Sequence, residues 1–149
     1  MLKRTHLAIG LTLGLYFLPL VNHKFFFIPV VLISSLLPDI DSISSSLGDR
    51  KIFRPVQWVV NHRGPLHSYT ICIGVAVLLT FFYPVYALPF FLGYSFHLFA
   101  DSFTPRGIRP FYPLKFQTHG AVKTGGNIDK ALFATFLIIG LFLIFILFL

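Results

Sequence analysis

Seven side chains of metal-ligand type fall in four short clusters: His6; Asp39 and Asp41 in "LLPDIDS"; His62 and His67 in "HRGPLHS"; and His97 and Asp101 in "HLFAD". Imidazole nitrogen and carboxylate oxygen together suit zinc, with manganese, iron or another divalent ion as competitors. His97 and Asp101 stand at i and i+4, one turn apart on one helix face, able to grip a single ion. In "PDIDS" the proline is expected to end a helix and the Asp-x-Asp to run extended, both carboxylates pointing the same way. In "HRGPLH", Gly64 and Pro65 shape a reversal that puts His62 on a turn and His67 in the first turn of the next helix. The chain has no glutamate, so Asp39, Asp41, Asp49, Asp101 and Asp129 are its whole acidic inventory. Any proton acceptor must come from that set or from a histidine.

What must position these residues is a membrane bundle. The chain is 56% hydrophobic and 11% charged, and its apolar residues come in runs suited to crossing lipid. The runs place spans at about residues 5–21, 25–37, 67–83, 88–104 and 129–149. The expected architecture is all-α: a polytopic membrane helix bundle of about five spans, one integral membrane domain over residues 1–149, with a polar metal site at one membrane face. Span 2 is short and holds Pro29, which predicts a tilted, broken or re-entrant segment. The opening "MLKRTHLAIGLTLGLYFLPLV" resembles a secretory leader, but no small-x-small cleavage pattern follows, so it is read as a retained first span. Cys72 is the only cysteine, which excludes an intramolecular disulfide and a cysteine-based zinc site. Gly10 and Gly14 in "GLTLG" form a small-xxx-small pair suited to close helix packing.

The net charge of +7 would suggest nucleic acid in a soluble domain, but here the cations sit in short segments between apolar runs. There they report orientation and contact with anionic lipid heads, and a nucleic-acid partner is not favoured. If every span crosses, Lys3, Arg4, Arg50, Lys51, Arg54, Arg63, Arg106, Arg109, Lys115, Lys123 and Lys130 share the side of the N-terminus, and Lys24 alone lies opposite. That asymmetry predicts a cytoplasmic N-terminus and an outside C-terminus. The same alternation brings all four clusters to the cytoplasmic face, an outcome that apolar spacing did not force. His23 falls on the other side, and His119 in the last loop is an optional addition.

Each cluster also has an ordinary explanation. A lone interfacial histidine is commonly just a polar residue, Asp39 or Asp41 can open a turn, and Arg63 and Arg106 can anchor the chain at the cytoplasmic surface. Asp101 resists this treatment: an unpaired charge near the bilayer centre costs about 2.5 to 3.5 kcal/mol on the insertion scale. Something must compensate it.

His6, "LLPDIDS", "HRGPLHS" and "GYSFHLFADSFTPRG" together resemble, in order and spacing, the YdjM-like family of membrane-bound metal-dependent hydrolases. The likeness covers roughly the whole chain. The family pattern often reads H-R-G-x-T-H where this chain has "HRGPLH", which leaves both histidines in place. "KTGGNID" at 123–129 looks like the family's closing motif, with Asp129 where a glutamate is common. The family is similar, more distantly, to zinc-dependent phospholipases C and single-strand zinc nucleases, which implies a metal-held phosphoester chemistry. A membrane lipid or lipid-like molecule is then the implied substrate.

The expected function is therefore a membrane-embedded hydrolase that uses metal-activated water, probed through one or more divalent ions, zinc first. Metal ligands are expected from His6, Asp39, Asp41, His62, His67, His97 and Asp101, with Asp41 and His67 as candidate catalytic proton acceptors. Arg63 and Arg106 are the candidates for holding anionic substrate oxygens. A proton-coupled or ion transporter is the first alternative, since intramembrane His and Asp also build ion sites. Clustering at one end of the spans, and the lack of paired interrupted halves, count against it. A non-enzymatic membrane scaffold is the other alternative.

Overall fold

The computed structural model describes residues 1–41 and 64–149. These residues form five helices and no strand: α1 (Lys3–Phe17), α2 (Lys24–Ser34), α3 (Tyr69–Phe82), α4 (Pro84–Ser102) and α5 (Asn127–Phe148). Short 3-10 turns at Leu18–Leu20, Leu37–Asp41 and Pro65–His67 join or precede them. The helices follow the five expected spans in order, with shifted ends. α4 starts at Pro84 rather than at residue 88, because proline fits the first turn of a helix, where its missing N–H has no intrahelical partner to lose. α2 stops at Ser34 rather than at residue 37, and the chain then turns through Leu36, whose N–H donates to the Ile33 carbonyl.

Among the described residues, α5 alone is long and apolar enough to cross a membrane unaided, over Asn127–Leu147. Its 22 residues reach about 33 Å at 1.5 Å per residue, matching a hydrocarbon core of about 30 Å. α2, with 11 residues and Pro29 inside it, reaches only about 16 Å. The expectation of an irregular second span therefore meets a helix that covers about half the apolar thickness.

α1 and α4 are the central pair. α1 packs against α2, α4 and α5, while α4 packs against α1, α2 and α3. Two glycines make the close approaches possible. A Cβ at Gly10 would lie 2.2 Å from Ser35 Oγ, and one at Gly93 would lie 2.3 Å from the Val31 carbonyl oxygen. The "GLTLG" pair is thus an α1–α2 contact, since a Cβ at Gly14 would meet Ile28 at 2.8 Å. Phe27, Val31 and Leu92 fill the space between α2 and α4, and Cys72, Phe90, Tyr94, Leu98 and Ile108 join α3, α4 and the loop that follows. On α5, Ile138, Leu141, Phe142 and Phe145 are exposed, an apolar surface that a lipid environment covers.

Candidate metal centre

The centre starts from α4. His97 and Asp101 lie one turn apart, as their spacing predicts, with His97 Nε2 3.9 Å from Asp101 Oδ2. Both are buried. Asp39 comes to them from the 3-10 turn after α2, its Oδ1 3.8 Å from His97 Nε2 and 3.8 Å from His67 Nε2. His67 Nε2 in turn lies 4.0 Å from Asp101 Oδ2. Two imidazole nitrogens and two carboxylate oxygens, from three separate parts of the chain, thus face a common point.

Local structure explains how His67 reaches it. The expectation that His67 begins the third helix is corrected: it ends the Pro65–His67 turn, and Ser68 caps α3 by accepting from the Ile71 N–H at 3.3 Å. The Ser68 hydroxyl also donates to the Pro65 carbonyl at 2.6 Å, and the Tyr94 hydroxyl donates to the Leu66 carbonyl at 2.6 Å. α4 therefore clamps the turn that carries His67. A second correction concerns "PDIDS". Leu37–Asp41 is a 3-10 turn and not extended.

His97 receives its orientation from α2. Its Nδ1 is 2.7 Å from the Ser35 main-chain carbonyl. A carbonyl only accepts, so Nδ1 carries the hydrogen and a neutral ring presents the Nε2 lone pair to Asp39 and Asp101. That nitrogen is buried and makes no hydrogen bond. A buried lone pair facing two carboxylate oxygens suits a cation or a shared proton between them.

His6 adds a second group. Its ring stacks on His97 with centroids 3.9 Å apart, and its Nε2 lies 3.4 Å from the other oxygen of Asp101, Oδ1. Neither ring nitrogen of His6 makes a hydrogen bond, although both are buried. Among the described residues the potential donors fall into two triads, His6–His97–Asp101 and Asp39–His67–His97, in each of which the ligand atoms lie within 4.8 Å of one another. Zinc donors at about 2.0–2.1 Å define a tetrahedral edge of about 3.3–3.4 Å. The four contacts of 3.8–4.0 Å among Asp39, His67, His97 and Asp101 describe a slightly wider shell, so the residues fit a divalent ion with small side-chain adjustments.

A positive group already sits beside this acidic pair, because the Met1 α-amino group contacts Asp101 Oδ1. Asp39 is the least buried member, with 23% of its side chain accessible. Burial would raise its carboxyl, but the facing His67 imidazole and the nearby His97 and His6 imidazoles outweigh this and hold it at about 2. Asp39 is therefore ionised throughout the range in which an imidazole titrates.

The remaining expectations divide. His62 and Arg63 lie outside the described residues, as does the side chain of Asp41 at the end of its turn. Arg106 is exposed in the turn after α4, where its carbonyl accepts from the Gln117 side chain at 2.8 Å. His119 is exposed, with Nδ1 3.2 Å from the Pro105 carbonyl. His23 precedes α2 at the opposite end of the helix from the Asp39 turn, and it too is exposed.

Two residues that the sequence reading did not place bear on the centre. Ser35 orients His97, and nothing in "ISSLLPD" announces it. Asp129 is fully buried and ties the start of α5 to the start of α1: Oδ1 accepts from the Thr5 hydroxyl at 2.7 Å, and Oδ2 accepts from the Leu2 N–H at 3.1 Å and the Gly125 N–H at 2.7 Å. The sequence-level hint was an acid in the first turn of a helix after "TGG".

Comparison with known proteins gives the chain its relatives. The proteins called inner membrane protein YdjM in Escherichia coli (strain K12) and Shigella flexneri are each 35% identical to it over 102 residues, which is 60% of this chain and 50% of theirs. The chain thus spans about half the length of the curated relatives it matches. No solved structure matches it. The model of the family described as YdjM inner membrane protein matches residues 1–149, and the chain therefore belongs to that family.

Proposed function

We propose that this protein is a metal-dependent hydrolase of the inner membrane, acting on a phosphoester of a lipid or another amphipathic molecule. The observation that carries the reading is the convergence of His67 Nε2, His97 Nε2, Asp39 Oδ1 and Asp101 Oδ2, with the His97 ring fixed by Ser35 so that its lone pair faces the carboxylates. When bound there, a divalent ion, zinc foremost and manganese or iron as competitors, supplies Lewis acidity and brings the pKa of a coordinated water to about 7.

The chain's own residues do the rest. His67, His97, Asp39 and Asp101 hold the ion, and Ser35 keeps His97 in the tautomer that can do so. His6 stands behind Asp101 and either orients that carboxylate or ligates a second ion. With His67 turned into the donor set, Asp41 is the remaining candidate for proton acceptor. Arg106 and Arg63 would hold phosphoryl oxygens. Placement at one end of the helices, where apolar surface gives way to loops, suits a substrate whose head meets water while its tails stay in lipid. The charge asymmetry supports a cytoplasmic site and N-terminus.

The test is elemental analysis of purified protein together with a hydrolysis screen of phospholipids and isoprenoid phosphates. Metal bound in stoichiometric amount and turnover abolished by His97→Ala are expected. Full turnover in a metal-free preparation would remove the proposal.

A further inference from the structure

Asp129 belongs to neither donor triad. Both its oxygens are spent on hydrogen bonds, one to Thr5 Oγ1 and the other shared by the N–H groups of Leu2 and Gly125. The three donors come from two places: the first turn of α1 and the turn that leads into α5. Thr5 is the immediate neighbour of His6, and Leu2 closes the same turn from below, its carbonyl accepting from the N–H groups of Thr5 and His6 at 3.0 and 3.3 Å. Farther along, Thr12 Oγ1 donates to the Phe136 carbonyl at 2.7 Å, so α1 and α5 are also tied a turn or two deeper. The deeper tie sets how the helices lie together; the Asp129 contacts decide the rotation and height of the turn that carries His6.

The chemistry of this junction suits a carboxylate. Three donors converge on two oxygens, two of them backbone N–H groups that can only donate, and an ionised carboxylate accepts all three as they stand. An amide of the same shape could keep its oxygen on the Leu2 and Gly125 N–H groups only by turning its NH2 group to the Thr5 hydroxyl, which would have to rotate and accept, and the charge that strengthens all three bonds would be lost. His6 has no hydrogen bond of its own to fix its ring, which leaves the backbone under it and the stacking on His97 to place it.

We propose that Asp129 is a positioning residue: a buried carboxylate that locks the first turn of α1 to α5 so that His6 faces Asp101. This rests on the reading of the cluster as a metal centre. It assigns Asp129 a role outside the ligand shell and makes the α5 entry turn, far along the chain, part of the machinery that builds the site.

The experiment uses the full chain in detergent, with Asp129→Asn, Thr5→Val, His6→Ala and the double variant Asp129→Asn/His6→Ala. Amide hydrogen exchange over residues 1–9 and the apparent zinc Kd, by competition with a chromophoric chelator, are read on each, below its melting temperature. Asp129→Asn is expected to speed exchange in the first turn of α1 and to weaken zinc about 10- to 100-fold, as supporting contacts to ligands do. Thr5→Val, which keeps the shape and removes one donor, should shift both readouts in the same direction by less. In the His6→Ala background, Asp129→Asn should weaken zinc little further, because the residue acts through His6. Unchanged exchange in Asp129→Asn overturns the proposal, and so do additive losses in the cycle, which would mark a general effect on the fold. A wild-type chain that binds no zinc removes the metal reading instead, and the exchange rates then still decide whether Asp129 holds α1.

Discussion

His97 Nδ1 lies 2.7 Å from the carbonyl oxygen of Ser35, so the last turn of α2 decides which nitrogen of a residue on α4 faces Asp39 and Asp101. The same short stretch of chain, Ser35 to Asp39, thereby supplies both a supporting acceptor for one ligand and a ligand of its own. Any disturbance of the α2 terminus should reach the centre twice.

Removing a central ligand should remove the ion and the stability it confers. A ligand that binds only the folded state, present at about 100 times its Kd, adds about 2.7 kcal/mol. Chelation of wild-type protein is therefore expected to lower its thermal midpoint. His97→Ala should contain background metal and melt at the same temperature with or without chelator. A scaffold whose polar residues only pack predicts no chelator effect in either protein.

Occupancy should fall with acid through the imidazoles. A histidine must be neutral to ligate, so protons compete with the ion for the imidazole nitrogens and zinc retention should decline as pH drops. Asp39 is not the cause there. Its carboxyl is depressed from 3.8 to about 2 in the folded protein, so its stabilising contribution is complete above about 3.8 and is lost only as pH falls through about 2. Zinc occupancy measured after equilibration across pH 8 to 4 should fall steadily, while Asp39 stays ionised. Asp39→Asn should weaken binding at pH 7 and move the loss of zinc to higher pH, because a weaker site yields to protons sooner.

Two glycine substitutions should separate close packing from helix propensity. Gly93→Ala forces a Cβ to within 2.3 Å of the Val31 carbonyl and 2.9 Å of the Ser35 nitrogen. Overpacking of this kind costs about 1–3 kcal/mol. Because Ser35 orients His97, Gly93→Ala should also weaken zinc. Gly74→Ala meets nothing within 4 Å and should be neutral or slightly stabilising on the exposed face of α3. Equal losses from both would contradict the packing described for α2 and α4.

Orientation can be read by cysteine labelling in intact cells. A cysteine at position 119, in the loop between α4 and α5, is expected to be shielded from a membrane-impermeant maleimide, and one at position 23 to be labelled. Both native side chains are exposed, so access to the reagent is the variable. The opposite pattern would place the centre at the outer face.

The order of apolar runs was enough to foresee five helices, and the spacing of "HLFAD" was enough to foresee that His97 and Asp101 share a helix face. Periodicity and length act within a few turns of chain, and these features are local. The clustering of His6, Asp39, His67 and Asp101 at one end was also visible, because successive membrane spans alternate in direction. Local conformation around proline was read less well: the turn from Leu37 to Asp41 is helical, and Pro84 starts a helix in a run expected to begin at residue 88. Tertiary structure alone decided that Ser35 supplies the acceptor for His97, that the turn holding His67 is pinned by Tyr94, and that Asp129 serves α1 rather than the donor set. Each of these is a hydrogen bond between residues remote in the chain, whose existence depends on helix rotation and height to within about an ångström. Composition and spacing carry the kinds of donor and the end of the bundle they occupy; the close approach of α1, α2 and α4 at glycine selects which atoms meet.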